Sequence, residues 1–437
     1  MIILLDLDGT LSDTAHERFK PFKDGQQETN LTHIPIFNGA KEFVNEITEL
    51  GHFPIIVSDS HPKYVKKIAS EVFGLETEGA FNQVVCLADK PNTEKTYNLL
   101  YAIAHELDPH LPMINLQADK DEILLVGDSW LDIELGRRLN IRTVLTQFYT
   151  ATNIEERDGI GQDWKPIKMG PTYYAKSFQQ LKDIIQNPNQ NLLAAEAIFQ
   201  GQNSSKTVKF LHRPYDDGFT TFRCLARQED GECDRFSRAD KYYQIDNPAR
   251  TTEFLSSLAQ AVSNYLNEVS NFPQFTWHHL TYVSDKRTTV PANKMKEIFD
   301  LVQTNFDKLK IFEWNDNVTG SLRNQPNYQA RREFISNNLK IIEGIDLQNK
   351  NIIIIDDQFT SSATANEISN QLRNKGVKNI LFVALFYLIL PIMSKVCPKC
   401  SKPLKIKIRR TDGNKFYSCL PAKFGGQGCG YTENIVD

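Results

Sequence analysis

The sequence lacks any apolar run long enough to cross a bilayer. Its longest candidate, Ile380–Met393, has 14 residues and contains Pro391, whereas a spanning helix needs about 20; it reads as a core strand and its exit, and no membrane partner is expected. The basic n-region and small-residue cleavage site of a secretory signal are missing too, since Met1 leads straight into IILL and an acidic motif, so a cytoplasmic protein is expected. A disulfide framework is absent as well. The seven cysteines are an odd number, and four of them fall in the last 41 residues, which suits a reduced compartment and a metal site. Finally there is no strong net charge. The total of −4 says little about partners, but it hides an asymmetry: residues 394–437 hold nine Lys or Arg against three Asp or Glu, net +6, which leaves −10 for the first 393.

What is present is an ordinary globular composition, with 41% hydrophobic and 24% charged residues. A length of 437 residues gives a prior of about three domains. The opening MIILLDLDGTLSD is an apolar strand ending in Asp6-Leu7-Asp8-Gly9-Thr10, with two carboxylates at its C-terminal edge. Such a pair suits divided labour, one acid attacking phosphorus and the other protonating the leaving oxygen, with oxygen ligands for Mg²⁺ in the same place.

These residues resemble motif I of the haloacid dehalogenase superfamily, and three further motifs follow in that family's order. They are the strand Ile55-Ile56-Val57-Ser58, the cation of Lys90-Pro91, and the strand Ile123 to Gly127 with Asp128, Ser129 and Asp132. The resemblance covers essentially the whole of residues 1–187. It implies Asp6 as nucleophile of an aspartyl-phosphate, Asp8 as general acid and base, and Ser58 and Lys90 as phosphoryl-oxygen ligands. It further implies a Mg²⁺ site at Asp6, Asp8 and Asp128, with Asp132 in support, and a phosphatase rather than a dehalogenase. The segments Leu11–Phe37 and Ser60–Asp89 are too short for a bulky cap, so an open site is expected, suited to a large substrate or to a small one closed over by another domain. Gly170–Tyr174 and Phe178–Gln186 read as a final strand and helix.

From Asn187 a polar stretch around LLAAEAIF marks a boundary, read as a linker over 188–205 whose interior is a docking helix or a free segment. Residues 206–250, dense in Arg, Asp and Tyr with turns at Asp217-Gly218 and Asp230-Gly231, predict hairpin strands forming a hood. Cys224 and Cys233 read as unrelated thiols. A helix over Thr251–Val269 leads to a strand over Trp277–Val283.

Ile352–Thr364, IIIIDDQFTSSAT, is a run of four β-branched residues, two carboxylates and a small hydroxylated turn before a helix over Ala365–Lys375. The apolar run predicts a buried parallel strand, and ligands of open α/β sheets lie beyond the carboxyl ends of strands. A small-residue turn entering a helix offers N–H groups to phosphate, while Asp356 and Asp357 can bond a sugar diol or hold a metal. The stretch resembles the phosphoribosyl pyrophosphate loop of type I phosphoribosyltransferases. That resemblance implies a second α/β domain over 206–392 that binds phosphoribosyl pyrophosphate through Asp356, Asp357, Thr360, Ser361, Ser362, Ala363 and Thr364. Ser362 stands where the family has glycine. Lys286 and Arg287 fall where the family places its pyrophosphate turn, though a Lys-Arg pair there also suits solvated surface, and Arg331 and Arg332 stand in a stretch similar to one of competence-type members.

In the tail, Cys397, Cys400, Cys419 and Cys429 have the spacing C-x2-C-x18-C-x9-C, four soft ligands for tetrahedral Zn²⁺. Residues 394–437 are too few to fold on apolar burial alone, so metal would supply the folding energy. The segment resembles the zinc ribbons of type IA topoisomerases. Its basic residues, interleaved with Phe416, Tyr417 and Tyr431, suit nucleic acid, although ribbons also bind proteins or stiffen a terminus.

The expected whole is an α/β chain combining a phosphatase acting on a phosphorylated small molecule, a ribose phosphate or nucleotide, with a phosphoribosyltransferase-like domain and a ribbon. Two functions follow. One is a bifunctional enzyme; the other is a nucleic-acid-associated phosphatase whose second domain only senses phosphoribosyl pyrophosphate.

Overall fold

The computed structural model describes residues 1–79, 81–107, 122–148, 164–210, 220–228, 251–270, 276–286, 294–316, 318–320, 322–360, 362–390, 395–400, 403–408, 415–419 and 429–434. The chain divides into two compact units, Met1–Pro188 and Asn189–Asp437. Both are α/β.

The first unit is built on a six-stranded parallel sheet of β1 (Ile2–Leu5), β2 (Phe53–Val57), β3 (Val84–Val85), β4 (Ile123–Gly127), β5 (Arg142–Thr146) and β6 (Tyr173–Ala175), in the order β3-β2-β1-β4-β5-β6. The strands are short and centred on β-branched or leucine residues, except β6, and Ile3, Leu4, Leu5, Ile55, Ile56 and Val126 are 0–1% exposed. That is the pattern of a parallel sheet covered on both faces. Leu4, Ile55, Val57, Leu125 and Val85 pack with Leu100 and Ile103 of the helix Glu94–Leu107 and Leu135 of the helix Trp130–Arg138. The order reverses beside β1, because the chain first adds β2 and β3 on one side and then β4 on the other. Such a switch point opens a crevice beyond the carboxyl ends of the two central strands, and Asp6 and Asp128 stand at those ends. As expected, Phe178–Gln186 is a helix, with Leu181, Ile184 and Ile185 buried.

The second unit holds a six-stranded sheet of β7 (Val208–Phe210), β8 (Thr220–Gln228), β9 (His279–Tyr282), β10 (Asp307–Lys308), β13 (Asn351–Phe359) and β14 (Asn379–Leu388), in the order β10-β9-β13-β14-β8-β7. All pairings are parallel except β7 with β8. An antiparallel pair of β11 (Phe312–Trp314) and β12 (Leu339–Ile341) accompanies it. Ile352–Ile355 are 0% exposed, each such side chain contributing about 1.5–3 kcal/mol of burial.

Two expectations need correction. The carboxylates do not follow the strand but belong to it, since β13 runs on through Asp356, Asp357 and Gln358 to Phe359, pairing with β14 up to Tyr387. The hood is also not formed by the strand at 220–228. Phe222, Cys224, Leu225 and Ala226 are buried, and β8 pairs with β14 from Ile380 to Leu388, so apolar burial draws it into the main sheet. Cys233 and the rest of 211–219 and 229–250 lie outside the described residues.

The stretch read as a linker contains the helix Ala194–Phe199, which packs on β8 and the helix Thr252–Ser270. Its Glu196 is 0% exposed and accepts from Arg227, 1% exposed, at 3.0 Å from Nε and 3.0 Å from NH2, with the Arg227 backbone N–H at 2.8 Å. Among the described residues no helix is long and apolar enough to cross a membrane. The tail forms an antiparallel sheet of β15 (Lys395–Val396), β16 (Pro403–Ile408), β17 (Lys415–Cys419) and β18 (Thr432–Asn434).

Candidate functional site

At the switch point of the first sheet the Asp6 backbone N–H donates to Val126 O at 2.9 Å, which ties the end of β1 to β4. The Asp6 carboxylate accepts from Lys90 Nζ at 2.6 Å and from Thr10 Oγ1 at 3.3 Å. Lys90 also donates to Asp132 Oδ1 at 2.6 Å. Asp132 is fixed in turn by a capping box, its Oδ2 accepting from Ser129 N–H at 3.1 Å and Ser129 Oγ at 2.6 Å. One carboxylate thus orients the cation from a helix start. Burial pushes the Asp6 carboxyl up to about 8, with Asp132 and Asp8 adding to the rise and Lys90 opposing it. Burial alone would lower the Lys90 ammonium, yet Asp132, Asp6 and Asp59 overcome it and hold it above its usual value. One cation therefore faces more carboxylate than it neutralises.

Two glycines admit this crowding. A Cβ on Gly9, whose φ is +92°, would stand 2.3 Å from Asp128 Oδ2, and one on Gly127 would stand 2.3 Å from Asp132 Cγ. Gly9→Ala is therefore expected to displace Asp128 and to cost about 1–3 kcal/mol in a left-handed backbone, read as a lowered melting temperature; an unchanged melt would contradict it. Oxygen atoms of Asp6, Asp128 and Asp132 lie within 4.8 Å of one another, a hard donor set that fits a small divalent cation. The Asp8 side chain is not in that group.

In the second unit, Asp357 is ion-paired with Lys294, the first residue of the helix Lys294–Leu301. Asp356 is buried and accepts from the Asp357 N–H at 2.9 Å. Ser362 is the N-cap of the helix Ala363–Asn374 with φ 60°, so serine holds the left-handed backbone that glycine would take freely. Thr360 and Thr364 flank the turn; Ser361 lies outside the described residues, as does Arg287. Lys286 donates to Gly320 O at 2.9 Å and stands over the Phe334 ring at 4.5 Å, and Arg332 pairs with Glu367 at 3.0 Å.

The four tail thiols converge. Cys397 Sγ is 3.4 Å from Cys429 Sγ, Cys400 Sγ is 3.5 Å from Cys419 Sγ, and all four lie within 4.8 Å of one another. They can hold a metal ion.

Residues 16–146 match the sequence model of the family described as haloacid dehalogenase-like hydrolase. The first unit carries a haloacid dehalogenase-like hydrolase domain. No match is found among curated proteins. Among solved structures, a hydrolase from Pseudomonas syringae is similar at 15% identity over 42% of this chain and 97% of its own, TM-score 0.29. A HAD-superfamily hydrolase from Ehrlichia chaffeensis is similar at 14% over 42% and 95%, TM-score 0.27. A hypoxanthine phosphoribosyltransferase from Staphylococcus aureus is similar at 15% over 31% and 65%, TM-score 0.21.

Within the dehalogenase-like domain the sequence reading missed the surroundings of Asp8. Its Oδ1 accepts from Thr14 Oγ1 at 2.6 Å and Tyr64 OH at 2.9 Å, and its Oδ2 from Ser60 Oγ at 2.9 Å and Ser58 Oγ at 3.4 Å. Burial, then the Asp8 charge, holds the Tyr64 phenol above its usual value, so it donates and does not ionise. Ser58 also accepts from Ser60 N–H at 3.1 Å. Thr14 and Ser60 each stand close in sequence to a motif, but Tyr64 is brought in by the helix Pro62–Glu71, and its aromatic character suggested only core. The loop carrying Lys90 is held by Asp59, whose Oδ1 accepts the Lys90 N–H at 2.9 Å.

Proposed function

We propose that the dehalogenase-like domain is a Mg²⁺-dependent phosphatase working through an aspartyl-phosphate on Asp6, with a phosphorylated small molecule, a ribose phosphate or nucleotide, as substrate. The observation that carries this is the joining of Asp6, Lys90, Asp128 and Asp132 at the switch point. Asp6 attacks phosphorus as the P–O bond to the leaving group breaks, and Asp8 gives that oxygen its proton. Water then attacks the phosphoaspartate, with Asp8 taking the proton back. Lys90 holds the nucleophile in place and faces the charge of the phosphoryl oxygens, with Ser58 close by. Asp6, Asp128 and Asp132 would hold Mg²⁺, which supplies charge neutralisation of the phosphoryl group.

The hydroxyls of Thr14, Ser60 and Tyr64 keep Asp8 in one orientation. Tyr64→Phe is expected to slow turnover of substrates with poor leaving groups about tenfold, the worth of one hydrogen bond to a charged group. Activated aryl phosphates should be nearly unaffected, and Asp8→Asn should show the same selectivity more strongly. Equal losses on both substrate classes in a leaving-group series would remove Asp8 as the acid.

For the second unit, transfer of a phosphoribosyl group from phosphoribosyl pyrophosphate would make the chain bifunctional. The second reading is that this unit binds phosphoribosyl pyrophosphate without reacting. Two observations favour it: the Asp357 carboxylate already carries a lysine, and Ser362 places a Cβ in the turn. Pyrophosphate release over a panel of bases decides between them. The tail cysteines would hold Zn²⁺, a metal that suits four thiolates. Its net charge of +6, with Lys399 over the Tyr431 ring at 5.9 Å, supports a nucleic-acid contact, for which affinity should fall steeply with salt; salt-independent binding would count against it.

A further inference from the structure

Residues 58–60 touch the acid and the cation of the first unit at once. The side chains of Ser58 and Ser60, 1% and 8% exposed, bond to Asp8. Asp59 between them is exposed and reaches instead to the loop of the cation, its Oδ1 accepting the Lys90 N–H at 2.9 Å. The backbone makes the same link, for Ser60 O accepts the Leu87 N–H at 3.1 Å and Ser58 O accepts the Ala88 N–H at 3.0 Å. The end of β2 and the loop before Lys90 are thus stitched together.

That loop needs holding. Leu87 at φ 49° and Asp89 at φ 60° both lie in the left-handed region, which residues with a Cβ occupy at a cost and leave when the surrounding contacts are removed. Lys95 Nζ donates to Leu87 O from the following helix, and Asp59 is the group that reaches the backbone of Lys90 itself. A lysine stem is flexible, so the place of its ammonium is set from both ends: by Asp6 and Asp132, each 2.6 Å from Nζ, and by the loop that carries the stem. One of these holds is lost in the reaction, because Asp6 gives up its carboxylate charge when it takes the phosphoryl group. From then on Asp132 and the anchored backbone keep the ammonium where the phosphoryl oxygens are.

We propose that Asp59 is a positioning residue of the phosphatase reaction, fixing the backbone of Lys90 so that its ammonium stays at the phosphoryl group through both halves of the turnover. This rests on the phosphatase reading above, and adds to it a residue that acts on the loop rather than on the substrate.

The test is a leaving-group series of aryl phosphates, hydrolysed with Mg²⁺ by the full chain and read as kcat/KM. Asp59→Ala removes the acceptor and is expected to lower kcat/KM at least about tenfold. The factor should be the same for activated and poor leaving groups, because Lys90 faces oxygens that every substrate shares. Asp59→Asn keeps an oxygen for the Lys90 N–H and should stay within about threefold of the wild type. In a Lys90→Met background, where there is no ammonium to place, adding Asp59→Ala should change kcat/KM by less than about twofold. A variant that merely loosened the fold would lose as much there as in the wild type, and that result overturns the inference. So do wild-type rates in Asp59→Ala, equal losses in Asp59→Asn and Asp59→Ala, or a loss that grows with poorer leaving groups, which places Asp59 with Asp8 instead. Should Lys90→Met fail to fold, the leaving-group series and the Asp59→Asn rescue decide. A wild type that hydrolyses no aryl phosphate, or hydrolysis that survives Asp6→Asn, removes the phosphatase reading and the inference with it.

Discussion

Asp6→Asn is expected to reduce phosphate-ester hydrolysis by at least about 10³-fold, some 4 kcal/mol of transition-state stabilisation, while leaving the fold intact. The loss is chemical, because an amide cannot form the phosphoaspartate and what remains is binding and the field of Lys90. Stability should hold for a geometric reason. Lys90 keeps Asp132 at 2.6 Å when Asp6 loses its charge, so no buried cation is orphaned, and the amide oxygen can still accept from Thr10 and Lys90. Removing one of three crowded carboxylates also relieves the repulsion from Asp132 and Asp8 that adds to burial in raising the Asp6 carboxyl. Hydrolysis of an aryl phosphate with Mg²⁺, beside a thermal melt, is the measurement. Retained turnover at a normal melting temperature would strike Asp6 from the mechanism.

The second large effect is expected in the tail. Among the described residues its apolar core is Leu404 with Cys397 and Cys419, and Cys400, Tyr417 and Tyr431 packed against them. Its strands are two to six residues long. Such a core is small against the chain entropy of ordering the segment, so a metal held by the four thiols would supply the folding energy. Purified protein should contain one zinc per chain. A zinc chelator, or Cys397→Ser with Cys400→Ser, should expose residues 395–434 to protease, while hydrolysis through Asp6 is unchanged once Mg²⁺ is restored. Protein purified without zinc, or protease resistance that outlasts chelation, would end this account.

Why some of this was legible and some was not follows from the range over which each residue acts. The strands at 2–5, 53–57 and 123–127 are short apolar runs that end in polar residues, and carboxylates at their edges can be read off without knowing what pairs with what. Lys90 needed only a resemblance to be singled out, but its neighbour Asp132 acts through a capping box, and its geometry lies in the helix start rather than in the motif. The cage around Asp8 was hidden because Thr14, Ser60 and Tyr64 come from separate segments, six, 52 and 56 residues away. Lys294 was missed for the same reason, standing 63 residues before Asp357 on a helix with no signal of its own. The strand β8 does form a hairpin with β7, but its place in the main sheet was hidden, because Arg223, Arg227 and Gln228 interrupt its apolar residues and only the pairing with β14 shows that it is central.

The buried pair of Glu196 and Arg227 sets the size of the piece that can be exchanged. Arg227 belongs to β8 and has its carboxylate partner on a helix that precedes the sheet in the chain. A module cut at residue 206 would carry a guanidinium into an apolar layer without its counter-ion, and orphaning a buried charge costs about 3–5 kcal/mol, a large share of a domain's net stability. The smallest transplantable module of the second unit therefore begins ahead of Ala194. Swapping partners onto it, in nature or by recombination, has its seam close to Pro188.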